Sequence, residues 1–137
     1  PAIHRAYTSA LLLVALLVGC TSLTARCFSW VSWSPTEYQL MRDDRLRTDA
    51  FYHAIDRLAP GKTILDMGTG ALALLALRCA RASATHVYAV EAEPRAAVMA
   101  QETVTAAGLG ERVTVFAGRS QDVELPRRVD LLVHELV

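Results

Sequence analysis

Thr63-Ile64-Leu65-Asp66-Met67-Gly68-Thr69-Gly70 decides the fold. A short apolar run ends in an acidic residue, and two glycines one position apart follow it. The pattern reads as a buried strand, Thr63–Met67, that turns tightly into a helix over Ala71–Ala82. The same alternation continues downstream. His86–Glu91 (HVYAVE) reads as a second strand, and Pro94–Ala107 as a helix closed by Gly108. Val113–Ala117 reads as a third strand and Val129–Glu135 (VDLLVHE) as a fourth. Strands alternating with helices require right-handed crossovers and a parallel sheet covered on both faces. The expected fold is therefore an α/β, Rossmann-like sandwich with about four parallel strands present and the later ones missing.

Upstream, Ser34-Pro35-Thr36-Glu37 has the form of a capping box with proline at the first helical position. Leu46, Ala50, Phe51, Ala54, Ile55 and Leu58 recur at helical spacing, and Pro60-Gly61 ends the run. The soluble domain is thus expected over residues 34–137. Residues 1–33 form a separate leader. Its residues 6–25 carry no charge, and Phe28, Trp30 and Trp33 follow. An apolar N-terminal helix of about 20 residues would just span a bilayer, so membrane attachment through this stretch is one expectation. A cleaved secretory leader, an organelle-targeting leader and a buried helix are the others. The chain opens at Pro1 and stops at Val137 inside an apolar run, and it reads as a fragment at both ends.

Fourteen basic and fourteen acidic residues cancel, and the basic ones are scattered arginines beside the single Lys62. This balance argues against nucleic acid as a partner. Cys20, Cys27 and Cys79 form no CxxC pair, which argues against a zinc site or a disulfide framework.

In parallel sheets of this kind, ligands bind beyond the carboxyl ends of the strands, where strand order reverses. Gly68 and Gly70 permit a tight turn and close approach of a ligand to the backbone. Glu91 closes the second strand about 20 residues later, where its carboxylate can accept from both hydroxyls of a ribose. Asp66 discriminates between cofactors. A carboxylate at the mouth of this turn repels a pyrophosphate but suits S-adenosylmethionine, which carries an ammonium and a sulfonium. Ser120 and Gln121 follow the third strand, placed to recognise an adenine edge.

Met41-Arg42-Asp43-Asp44-Arg45-Leu46-Arg47-Thr48, taken with Ile64–Gly70, Tyr88–Glu91, Ser120–Pro126 and Leu131–Glu135, resembles the protein arginine methyltransferases. The resemblance covers roughly residues 35–137 and implies a class I methyltransferase sandwich. It implies that Arg47 grips the cofactor carboxylate, that Met41 packs near the sulfonium, and that Glu135 is the first of two glutamates holding the substrate guanidinium. It also implies protein arginine side chains as substrate, a cytoplasmic or nuclear catalytic domain, and a homodimer where the family's C-terminal part is present. The sequence departs from the family in three places. Leu72 stands where a third glycine is usual, Tyr38 where many members have histidine, and Gln121 where glutamate is frequent. A methyltransferase acting on another acceptor and a catalytically inactive cofactor-binding fragment are the alternatives. On the leading reading, Glu135→Gln abolishes transfer and leaves cofactor binding nearly intact.

Overall fold

The computed structural model describes residues 34–135. Two helices, α1 (Pro35–Asp43) and α2 (Arg45–Leu58), precede an alternation of β1 (Thr63–Met67), α3 (Leu74–Arg81), β2 (His86–Glu91), α4 (Pro94–Ala106), β3 (Val113–Ala117) and β4 (Leu131–His134). The strands form one parallel sheet in the order β3-β2-β1-β4. The leader, including residues 6–25 and the apolar helix expected there, lies outside the described residues. Among the described residues, no helix is long and apolar enough to cross a membrane.

The capping box forms: Ser34 Oγ accepts from the Glu37 amide, and the Glu37 carboxylate accepts from the Ser34 amide. The single helix expected over this region is instead two. Asp44 leaves helical geometry (φ −70°, ψ 88°), and its carboxylate accepts from the Arg47 amide at 3.3 Å, starting α2 afresh. Aspartate favours this N-cap position because its oxygen satisfies one of the free amides of the first turn. The break also rotates α2. Leu46 is 89% exposed and Ala50 faces out, while Thr48, Phe51, Ile55 and Ala59 turn inward. The buried stripe is therefore displaced from the one that simple periodicity predicts.

Helices α2, α3 and α4 all pack on one face of the sheet, against Ile64, Val87, Ala89, Val113, Leu131 and Val133. The opposite face buries Leu65, Tyr88 and Val90 under Val123 and Val129, which belong to the irregular segment between β3 and β4. The sheet is thus covered on both faces, as expected, with helices on one and irregular chain on the other. Crossovers β1→β2 and β2→β3 step in one direction, and a fixed right hand puts both of their helices on the same side. The return from β3 across to β4 takes the other side, and here it contains no helix. β4 is shorter than expected because Asp130 is tied to the start of β1. Its carboxylate accepts from the Thr63 amide, its own amide donates to the Thr63 carbonyl, and pairing begins only at Ile64↔Leu131. α3 likewise starts at Leu74, because residues 71–73 complete the turn after Gly70 and Ala73 holds φ 45°.

Candidate cofactor and acceptor site

Strand order reverses at β1, with β2 on one side and β4 on the other. The carboxyl ends of β3, β2, β1 and β4 therefore present, in a row, Ser120 and Gln121, then Glu91, then Gly68–Gly70, then Glu135. With strands about 4.8 Å apart, this row is roughly 14 Å long. One extended ligand can touch most of it.

The turn after β1 is clamped to β2. The amides of Gly68 and Thr69 both donate to the Val90 carbonyl, at 2.8 and 3.1 Å. Glu91 continues the clamp, with Oε2 accepting from the Gly70 amide and Oε1 from the Glu93 amide, each at 2.9 Å. Each oxygen keeps acceptor capacity for one more donor, as a ribose diol needs.

Asp66 is placed differently from the expectation. Its residue is 1% exposed and lies beneath the turn, not at the mouth. Oδ2 accepts from the Thr69 hydroxyl at 2.7 Å, and Oδ1 is buried with no hydrogen-bond partner among the described residues. Burial pushes its pKa up to about 6. The Thr69 hydroxyl and the nearby Ala76 amide, which forms no hydrogen bond to Oδ1, oppose the rise, and the Glu91 charge adds to it. A buried carboxylate with one unsatisfied oxygen acts on a cation above it through its field, and it shapes the turn through Thr69.

Arg47 reaches from α2 across the β1–β4 mouth and pairs with Glu135. Nε donates to Oε1 and Nη2 to Oε2, a two-pronged ion pair with side chains 21% and 26% exposed. Nη1 donates to the Met41 carbonyl at 2.8 Å, and the Arg47 ring-facing carbon sits 5.8 Å from the Phe51 centroid. Partial burial draws the Arg47 pKa down, and Asp44 opposes this. Met41 thus contributes its backbone to holding Arg47, while its side chain is half-buried nearby. His134, at register with Met67, packs in the strand; its Nδ1 is buried with no partner among the described residues. Ser120 and Gln121 lie in the turn closed by the Asp122 and Val123 amides on the Arg119 carbonyl, Ser120 half-buried and Gln121 exposed. They sit beyond Glu91 and are not brought against the other candidates.

Sequence reading missed two residues. Thr69 is one; its hydroxyl links Asp66 to the turn. Tyr38 is the other, noted there only as a departure from histidine. Its ring, carried by α1, lies on Gly70 so closely that a Cβ there would meet Cε1 at 2.9 Å. Partial burial, and then the Glu91 charge, push the phenol pKa up, and a hydrogen bond with the Ala71 backbone opposes them. Tyr38 therefore docks α1 over the turn. Gly70→Ala is expected to cost more than Gly108→Ala, although both glycines hold nearly the same φ (65° and 68°). Each pays about 1–2 kcal/mol for a left-handed backbone. Gly108 has open space where the methyl goes, whereas Gly70 must also displace Tyr38. Urea unfolding of the two variants measures the difference; equal losses would show that the Tyr38 contact contributes nothing.

The chain has relatives of known family and fold. No protein-family model matches it. A probable protein arginine N-methyltransferase 6.1 of Oryza sativa subsp. indica is 42% identical over 101 residues, which cover 72% of this chain and 26% of that protein. Protein arginine N-methyltransferase PRMT10 of Arabidopsis thaliana is 41% identical over 98 residues, 69% of this chain and 25% of that one. Among solved structures, Arabidopsis thaliana protein arginine methyltransferase 10 superposes with a TM-score of 0.70 at 38% identity, covering 74% of this chain and 30% of that one. The Trypanosoma brucei PRMT1 enzyme–prozyme complex with AdoHcy gives a TM-score of 0.67 at 30% identity. The chain thus spans about a quarter of the length of the curated relatives it matches. Within that span, the chain belongs to the protein arginine N-methyltransferase family.

Proposed function

We propose that the complete protein transfers methyl groups from S-adenosylmethionine to the guanidinium nitrogens of protein arginine side chains. The observation that carries this reading is the pairing of Arg47 with Glu135 at the β1–β4 mouth, in line with Glu91. Such a pair offers one cation for the cofactor's carboxylate and one anion for a substrate guanidinium. The donor set fits the cofactor. Arg47 matches its carboxylate and Glu91 its ribose hydroxyls. The positive-φ turn at Gly68–Gly70 lets the ligand approach the backbone, and Asp66 supplies negative potential below. When bound, the cofactor supplies a methyl group on a positively charged sulfur.

Glu135 would then hold the acceptor guanidinium by two hydrogen bonds, fixing one nitrogen in line behind that methyl. Orientation of this kind contributes a large part of a barrier reduction on its own. Ser120 and Gln121 would face the adenine, and Met41 the sulfur. On this reading the catalytic domain works where the cofactor is made, in cytosol or nucleus, and pairs with a second copy as a homodimer.

The test is direct. The complete protein is incubated with methyl-labelled S-adenosylmethionine and an Arg-Gly-rich protein, which is then hydrolysed. Label in methylarginine is the expected result. Label on another acceptor would leave a methyltransferase of different specificity. No binding of the cofactor at all would leave an inactive domain.

A further inference from the structure

Arg47 and Glu135 are bound to each other, yet under the proposed function each is reserved for a different ligand. Both oxygens of Glu135 are taken, Oε1 by Nε and Oε2 by Nη2. This is the same two-pronged contact that a substrate guanidinium requires. Arg47 offers the same chemical group as that substrate. Its third nitrogen is also engaged, on the Met41 carbonyl at 2.8 Å. A cofactor carboxylate arriving at this guanidinium brings a second negative charge beside Glu135, and the two carboxylates repel. The pair is about three-quarters shielded from water, so this repulsion is screened less than at an open surface.

We propose that Arg47 is a built-in stand-in for the substrate arginine: it occupies Glu135 until the cofactor carboxylate draws it away, so that cofactor binding opens the guanidinium site. The inference rests on the reading of Glu135 as the acceptor-binding carboxylate. It makes the two sites cooperative without any rearrangement of the fold, because one side chain changes partner. Linkage makes the effect reciprocal: an arginine substrate strengthens cofactor binding by the same factor. It also revises the expectation that Glu135→Gln leaves cofactor affinity untouched. A neutral amide releases Arg47 to the cofactor, whereas a Glu135 that merely oriented Arg47 would give the opposite sign.

Calorimetry on the complete protein separates these. The probes are S-adenosylhomocysteine and a Gly-Arg-Gly repeat peptide. Glu135→Gln is expected to bind S-adenosylhomocysteine roughly fivefold more tightly than the native protein. The native protein is expected to bind the peptide about tenfold more tightly with saturating S-adenosylhomocysteine than without it, within the range usual for coupled sites. The second measurement needs no variant and stands if Glu135→Gln folds poorly. Unchanged or weaker S-adenosylhomocysteine binding by Glu135→Gln overturns the exchange, and so does a peptide affinity indifferent to S-adenosylhomocysteine. Tighter binding by the variant, with no peptide binding under any condition, supports the competition for Arg47 and overturns arginine as the acceptor.

Discussion

Glu135→Gln is expected to lower methyl transfer to arginine by about a hundredfold or more. The side chain keeps its size and one hydrogen-bond acceptor but loses the charge and one prong of a two-pronged contact. A guanidinium held by a single neutral oxygen pivots, and misplacement of the attacking nitrogen by about 1 Å is enough to cost a hundredfold. The variant also turns the Arg47 pair from an ion pair into a weaker polar contact. Cofactor affinity therefore does not fall with the rate. Single-turnover rates beside calorimetric affinities for S-adenosylhomocysteine make the check. Equal losses in rate and affinity would move Glu135 from the acceptor side of the site to the cofactor side.

Asp66→Asn is expected to stabilise the fold and weaken cofactor binding. Burial raises the Asp66 pKa from the ordinary 3.8 to about 6, so the folded state holds the proton more tightly than the unfolded chain does. The sign follows from that difference: stability is full below about pH 4 and is lost as pH climbs to about 6, where the folded carboxyl ionises. A shift of about two pH units corresponds to roughly 3 kcal/mol at neutral pH. Asparagine avoids the ionisation while still accepting from the Thr69 hydroxyl. Its advantage in urea unfolding should be about 2–3 kcal/mol at pH 8 and close to zero near pH 4. A stability gain of the same size at both pH values would show that charge is not its source. The same substitution removes negative potential beneath the ammonium and sulfonium groups, and about a tenfold loss of S-adenosylmethionine affinity is expected. Stability gained where function is lost marks a residue kept charged for the ligand.

Several parts of this molecule were legible in one dimension. The β1–turn–α3 unit follows from local rules: a buried run of strand length, then glycines at two positive-φ sites. Glu91 was legible because the strand ends that carry it and the turn are a fixed distance apart in a parallel pair, Met67 beside Val90. The pairing of β4 with β1 follows no local rule, and neither does the single-sided placement of the helices. Leu46 shows the limit of periodicity: it falls on the apolar repeat, yet Asp44 restarts the helix and turns it to solvent.

Chemical identity at the strand ends was therefore written in the sequence. An acidic residue, two glycines, a second acid and a third at β4 are local features, and local sterics and charge suffice to read them. Their relations were decided by tertiary structure. Asp66 sits below the turn because β1 is covered on both sides, by β2 and β4, and the desolvation this brings makes it a buried acid. Tyr38 meets Gly70 because the break at Asp44 lets α1 fold back over the turn. Arg47 meets Glu135 across 88 residues because the return crossover lays β4 beside β1, under the first turn of α2. Contacts of such separation depend on which elements pack together, and no spacing along the chain encodes that.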